Sequence, residues 1–193
     1  MKQIAAWGGT IGPVAFIGAW AVGGAVTSRS YAPVEDTISQ LAAVGAPTRS
    51  LMTAGMITFG VAVPTFALAL RRALPGPAWI AVAATGIATL GVAATPLDRS
   101  ELVDNLHLVF AGAGYITLAA VPLLARKALI AHGHDRLAAF GLVMAGVSAV
   151  ALPTSLAVSQ TGMFQRIGLT AGDLFLIAST PVVATLLRRR HAA

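Results

Sequence analysis

The sequence of 193 residues contains no cysteine and very few charged residues. The absence of cysteine excludes disulfide bonds, thiolate metal sites and a cysteine nucleophile. Only 10% of the residues are charged, whereas soluble domains average about 25%. So little charge cannot solvate the surface of a chain of this length, and the apolar runs are too long and too numerous for one buried core. The composition therefore predicts an integral membrane protein.

Six apolar segments are each close to the ~20 residues needed to cross the hydrocarbon layer. In order, they are 5–27, 51–70, 77–96, 105–125, 137–157 and 169–187. The first segment is longer than the apolar core of a signal peptide, about 7–15 residues, so we interpret it as a retained span. No linker or second domain is visible. We predict one all-α, polytopic membrane domain over residues 1–193, built as a six-transmembrane-helix bundle.

The basic residues cluster at the ends of these segments. If the N-terminus is cytoplasmic, 9 of the 13 lysines and arginines lie on the cytoplasmic side and 4 lie outside. The inner set is Lys2, Arg71, Arg72, Arg126, Lys127, Arg136, Arg188, Arg189 and Arg190, and the outer set is Arg29, Arg49, Arg99 and Arg166. This asymmetry obeys the positive-inside rule. We predict a multi-pass protein of the bacterial cytoplasmic (inner) membrane with both termini cytoplasmic. Membrane orientation also accounts for the net charge of +6 without a nucleic-acid partner.

The loop between the first two spans, residues 28–50, carries a helix signal of its own. Thr37 and Gln40 fit a capping box, and a glycine and a proline that follow supply a stop. We predict a short outer amphipathic helix, about 36–44, on the membrane surface or over the mouth of the bundle. Its polar face would carry Asp36, Ser39 and Gln40. These side chains serve either as caps and solvated positions or as ligand contacts.

Acidic residues gather before the fourth and sixth spans. Asp98 and Glu101 can cap the entry to the fourth span, and Asp104 in its first turn complements the helix dipole. Thr170 and Asp173 repeat this device at the start of the sixth span. Most outer acids therefore have a structural explanation. Because no charge falls near the centre of a predicted span, an ion-coupled transporter or a proton pump is disfavoured.

His107 is harder to explain as a cap. It lies three residues after Asp104 on one helix face, which Ala111 and Gly114 continue. Small residues allow another helix to approach closely, so we expect His107 to point into the bundle. It is either a packing histidine oriented by Asp104 or a functional group, since ionisable side chains in spans are costly. An Asp104–His107 dyad can act as a base, with Ser39 as nucleophile if the loop helix folds over it.

Several short motifs resemble the family named domain of unknown function 998. They are Tyr31–Pro33, Ile38–Leu41, Pro96–Asp98, His107 and Gly162–Arg166. The resemblance extends over nearly the whole chain and implies a bacterial or archaeal membrane protein, commonly with six spans. It implies no activity. It draws attention to Arg166, which is either an interfacial cation or a partner for Asp36, Asp98 or Asp104.

Three functional interpretations remain open. The first is an integral membrane protein whose outward-facing polar pocket binds a lipid or a lipid-linked envelope molecule. Its ligand-binding residues would be Tyr31, Asp36, Ser39, Gln40, Asp98, His107 and Arg166. The second is a membrane-embedded hydrolase or transferase in which His107, Asp104 and Ser39 are catalytic. The third is a structural or accessory subunit. We predict membrane lipid as a partner, no cofactor and no metal, since only one of the four histidines lies on the outer side.

Overall fold

A computed structural model describes residues 2–27 and 31–192, with side chains over 4–27 and 31–190. These residues form seven α-helices, one 3₁₀ helix and no strand. The elements are α1 (Lys2–Ala6), α2 (Gly8–Val26), the 3₁₀ helix (Ile38–Ala42), α3 (Arg49–Ala73), α4 (Ala78–Ala94), α5 (Glu101–Ala131), α6 (Asp135–Thr154) and α7 (Thr161–Ala192). The predicted all-α class is confirmed. Arg29, counted above on the outer side, lies outside the described residues.

Five of the described helices are long and apolar enough to cross a membrane. They are Ile4–Val26, Arg49–Ala73, Glu101–Ala131, Asp135–Thr154 and Thr161–Arg190. The remaining predicted span is α4, which is apolar but has only 17 residues. Large apolar side chains such as Val61, Ile87 and Ile116 remain exposed on the outer faces of the helices. Such faces suit lipid rather than water.

Each helix packs against the next one along the chain, and α7 packs against α2, which closes the bundle. Its core is rich in phenylalanine and leucine. Phe16 of α2 and Phe59 of α3 contact each other with ring centroids 5.6 Å apart. Phe66, Leu118 and Phe175 are almost completely buried. The core therefore lies between α2, α3, α5 and α7, and it borders the polar cavity described below.

The last helix begins earlier than the sequence predicts. α7 starts at Thr161, not at residue 169. The hydropathy pattern failed here because Gln165 and Arg166 are polar, yet both find hydrogen-bond partners in the chain around residues 31–38. Asp173 consequently lies about 18 Å along α7 from Thr161. The expectation that Thr170 and Asp173 cap this helix is wrong, and Asp173 is an acid in the middle of a helix.

The loop between α2 and α3 contains a shorter helix than expected. The predicted helix over 36–44 is a five-residue 3₁₀ helix, Ile38–Ala42. Thr37 is its N-cap residue but its side chain makes no capping hydrogen bond, so the predicted capping box does not form. Ile38 and Leu41 are buried, and the 3₁₀ helix contacts α2, α3 and α7. This segment is therefore a plug packed into one end of the bundle.

Candidate functional site

His107 is the centre of a hydrogen-bonded chain that joins three elements. Its ring is only 3% exposed, so the predicted inward orientation is confirmed. Nδ1 lies 2.6 Å from the carbonyl oxygen of Thr95, at the end of α4, and Nε2 lies 2.9 Å from Ser39 Oγ in the 3₁₀ helix. A carbonyl oxygen can only accept, so Nδ1 carries the proton. In the neutral ring, Nε2 then accepts the hydrogen of the Ser39 hydroxyl.

Asp104 does not form the hydrogen bond to His107 that the sequence predicts. Its Oδ1 accepts the backbone N–H of Asp98 at 3.1 Å, and the Thr95 carbonyl takes the position at Nδ1 of His107. The hydrogen-bonded Asp104–His107 dyad is therefore replaced by a Ser39–His107 pair. Asp98 itself has a φ of 63°, a left-handed conformation that aspartate tolerates better than most residues. Asp104 thus stabilises the turn that leads into α5.

The cap of α5 also differs from the prediction. Ser100 is the N-cap residue, and its Oγ accepts the backbone N–H of Val103 at 3.4 Å. Asp98 and Glu101 were expected in this role. Glu101 lies in the first turn of α5, where its charge still complements the helix dipole.

Gln165 is a site residue that sequence reasoning did not single out. It is buried, and its Oε1 accepts the backbone N–H of Ile38 at 2.7 Å. Its Nε2 donates to the hydroxyl of Tyr115 on α5. The one available signal was its place inside the Gly162–Arg166 motif. Gln165 connects the start of the 3₁₀ helix to α5 and α7.

Arg166 binds the loop through backbone carbonyls. Its guanidinium donates to the carbonyl oxygens of Pro33 and Asp36, at 2.6 and 3.0 Å, and to the hydroxyl of Tyr31. The same group lies over the rings of Trp20 and Tyr31, at 5.5 and 5.7 Å from their centroids. Arg166 therefore pairs with Asp36, but it does so through the main-chain carbonyl of Asp36 and not through its carboxylate. The carboxylate of Asp36 instead accepts a backbone N–H from its own turn, at 2.7 Å.

Tyr31 is held in its protonated form. Burial raises the pKa of its phenol, and the charge and hydrogen bond of Arg166 oppose this shift only in part. At neutral pH the hydroxyl therefore keeps its hydrogen and donates to the carbonyl oxygen of Thr37 at 3.2 Å.

The N-terminus of α7 docks on the same stretch of carbonyls. The N–H groups of Gly162 and Met163 donate to the carbonyl oxygens of Glu35 and Val34, at 3.2 and 2.9 Å. These are donors that a helix start cannot satisfy internally. A side chain at position 162 would collide with the carbonyl oxygens of residues 33 and 36. Glycine is required at this position for close approach.

Two cavities flank this network. The larger, about 320 Å³, lies between residues 31–48 and the start of α5. Its polar lining consists of Thr27, Tyr31, Gln40, Thr48, Asp98 and Asp104, and its apolar lining includes leucines at positions 41, 97 and 108. Three of the predicted ligand residues therefore meet here with one predicted catalytic residue. We call this space the loop pocket.

The second cavity lies in the middle of the bundle and measures about 50 Å³. We call it the central cavity. Its polar lining consists of Ser39, Thr85, Thr89, Tyr115, Gln165 and Asp173. Asp173 is 1% exposed, and neither oxygen of its carboxylate has a hydrogen-bond partner among the described residues. Of the predicted residues, only Ser39 lines this cavity.

The helices and their apolar outer faces define a polytopic helical membrane protein. The chain belongs to the family described as Protein of unknown function (DUF998), whose model matches residues 10–181. The match runs from α2 into α7 and includes every candidate residue named above. Comparisons with curated proteins and with solved structures found no match. Family membership confirms the resemblance and assigns no activity.

Proposed function

We propose that this protein binds an amphiphile, a lipid or a lipid-linked envelope molecule, in the loop pocket. One observation carries the proposal: Tyr31, Gln40, Asp98 and Asp104 come from separate stretches of the chain and converge on one space of about 320 Å³. This volume falls at the lower end of the range for small-molecule sites, about 300–1,000 Å³. A lining that combines polar groups with leucines suits a head group joined to an apolar chain.

The chemistry of the lining narrows the head group. Two carboxylates repel a phosphate, whereas carboxylates accept hydrogen bonds from hydroxyls and the Gln40 amide both donates and accepts them. The proposed head group therefore carries no negative charge and is rich in hydroxyls, as in a glycosyl lipid. Arg166 and Asp36 do not line the pocket. Arg166 stabilises it indirectly, because it donates to the hydroxyl of Tyr31 and to the main-chain carbonyl of Asp36.

We further propose six spans in a bacterial cytoplasmic membrane, with both termini cytoplasmic. α4 packs between α3 and α5, and its 17 residues reach about 26 Å. The hydrocarbon layer is about 30 Å thick, and a span slightly too short is accommodated by local thinning at modest cost. The distribution of basic residues supports the orientation.

The amphiphile proposal predicts that a glycosyl lipid shields position 40. The chain has no cysteine, and Gln40 is exposed and makes no side-chain hydrogen bond to the described residues, so Gln40→Cys introduces one thiol without disturbing the fold. In phosphatidylglycerol nanodiscs, added glycosyl diacylglycerol should slow maleimide reaction at this thiol at least threefold. The control is Ser159→Cys, at an exposed loop position, whose rate should not change. Equal rates at position 40 with and without glycosyl lipid would contradict the proposal.

The same reagent, in a membrane-impermeant form, reports the topology in intact cells. Gln40→Cys and Arg99→Cys should react directly, and Pro75→Cys, in the exposed α3–α4 turn, only after permeabilisation. If position 99 is protected like position 75, α4 does not cross the membrane.

A second function, a hydrolase or transferase with a serine nucleophile, is favoured by one specific contact. Ser39 donates to Nε2 of His107 while the Thr95 carbonyl fixes the ring, which is the polarity that a base-assisted serine requires. Ser39 also borders the central cavity, which leaves space beside the hydroxyl.

The serine proposal predicts that a fluorophosphonate probe labels the detergent-solubilised wild type. Ser39→Ala should lose the label, because the probe reacts with a hydroxyl whose proton a histidine accepts. Ser159→Ala, which removes an exposed serine, should retain it. A folded Ser39→Ala variant that labels as strongly as the wild type would exclude Ser39 as the nucleophile.

A further inference from the structure

Asp173 is a buried acid that neither the loop pocket nor the Ser39–His107 pair uses. It lies in the middle of α7, is 1% exposed, and has no hydrogen-bond partner for either carboxylate oxygen among the described residues. Leaving such a group unsatisfied costs free energy, and acids inside spans face binding or transport sites by default. A group from outside the chain is therefore needed to complete the hydrogen bonds of Asp173.

The central cavity around Asp173 is lined by several acceptors and by two side chains that can also donate, the hydroxyl of Tyr115 and the amide of Gln165, which bond to each other. Thr89 donates its hydroxyl hydrogen to the carbonyl of Thr85 at 3.0 Å, and Thr85 donates to the carbonyl of Ala81 at 2.9 Å. The hydroxyl of Ser39 points its hydrogen at His107. Each of these hydroxyl oxygens can still accept a hydrogen bond. A ligand that donates hydrogen bonds and carries positive charge would satisfy both Asp173 and these oxygens.

The walls favour an organic cation over a metal ion. Aromatic side chains of Phe16, Phe59 and Phe110 form part of the lining, and aromatic rings attract ammonium groups. Among the described residues, no three histidine or acidic side chains lie close enough to hold a metal ion. The volume of about 50 Å³ exceeds the roughly 10–15 Å³ that a single water molecule requires. The space therefore suits a compact cationic group.

We propose that the central cavity binds the ammonium group of a membrane-soluble organic amine, paired with the carboxylate of Asp173. Tyr115 lines the central cavity and also a groove of about 610 Å³ between α5 and α6, whose other walls are almost entirely apolar. The hydrocarbon substituent of the amine can lie in this groove. The site is separate from the loop pocket, because none of the residues lining one cavity lines the other.

The probe for this proposal is n-butylammonium chloride, and the readout is thermal unfolding of the purified chain in mild detergent. The unfolding temperature should rise with probe concentration and saturate, because a ligand that binds only the folded state stabilises it. Equal concentrations of n-butanol or sodium chloride should not produce the rise. Asp173→Asn should weaken the apparent Kd at least tenfold. Asp135→Asn, at an exposed acid that begins α6, should keep the wild-type Kd.

A second variant covers the case in which Asp173→Asn does not fold. Ala111 borders the central cavity, and Ala111→Leu should fill it and abolish the saturable response. The proposal is overturned if the wild type does not respond to n-butylammonium, or if either folded variant responds as the wild type does. It is also overturned if sodium chloride or n-butanol gives the same saturable rise. The result is independent of labelling at position 40, which tests the loop pocket alone.

Discussion

Replacement of Arg166 by alanine should lower the free energy of unfolding by about 3 kcal/mol. Hydrogen bonds from a charged donor contribute roughly 1.5–3 kcal/mol each, and they are not additive. Arg166 donates to the carbonyls of Pro33 and Asp36 and to the hydroxyl of Tyr31. It also covers the ring of Trp20. Alanine at position 166 leaves these acceptors without their donor and removes the contacts with the rings of Trp20 and Tyr31.

Reversible unfolding in mild detergent measures the change in the free energy of unfolding. Two further variants serve as comparisons. Arg166→Lys keeps the charge but loses the planar fork, so it should recover less than half of the lost stability. Arg136→Ala removes an exposed arginine in the first turn of α6 and should change stability by less than about 0.5 kcal/mol. A loss at Arg166→Ala no larger than at Arg136→Ala would mean that the loop is held by other contacts.

Replacement of His107 by alanine should cost about 3 kcal/mol. The ring is buried, so its loss leaves a cavity. It also leaves the Ser39 hydroxyl and the Thr95 carbonyl without their partner, and an unsatisfied buried group costs about 1–3 kcal/mol. His107→Asn places an amide nitrogen near the position of Nδ1. It should keep the bond to Thr95, lose the bond to Ser39, and fall between alanine and the wild type.

The control for this series is His132→Ala. Nδ1 of His132 also bonds to a carbonyl oxygen, that of Ala128 at 2.8 Å, but both residues belong to the same helix end. His132 is only half-buried. Its loss should cost less than about 1 kcal/mol. If His107→Ala is as stable as the wild type, the histidine is retained for something other than folding, because functional groups often reduce stability. The hydrolase interpretation then gains, whereas a large loss favours a structural role for the Ser39–His107 pair.

The membrane class and most of the helices could be predicted because they depend on average hydropathy over long windows. The ends of helices depend on a few polar groups, and here prediction failed. α7 begins at Thr161 because Gln165 and Arg166 find partners far away in the sequence, which no local pattern reveals. The same error placed Asp173 at a helix start, so the sequence did not predict that it is the one buried acid among the described residues.

The candidate site could be predicted in part. The motif residues Ser39 and His107 do meet, although 68 positions separate them. The group that orients His107 could not be predicted, because it is a backbone carbonyl, and every residue offers one. Of the predicted ligand-binding residues, Tyr31, Gln40 and Asp98 line the loop pocket. Asp36 and Arg166 do not line it and instead bond to each other.

The bonds between the early loop and the start of α7 have a consequence for synthesis. Pro33 and Arg166 are 133 positions apart, and Ile38 and Gln165 are 127 apart. On a ribosome adding about 5–20 residues per second, the carbonyls of the loop emerge many seconds before their donors. Contacts of such high contact order form late. Closure of this end of the bundle must therefore follow insertion of the last helix, and a nascent chain arrested before α7 leaves the loop without its bonds to Gln165 and Arg166.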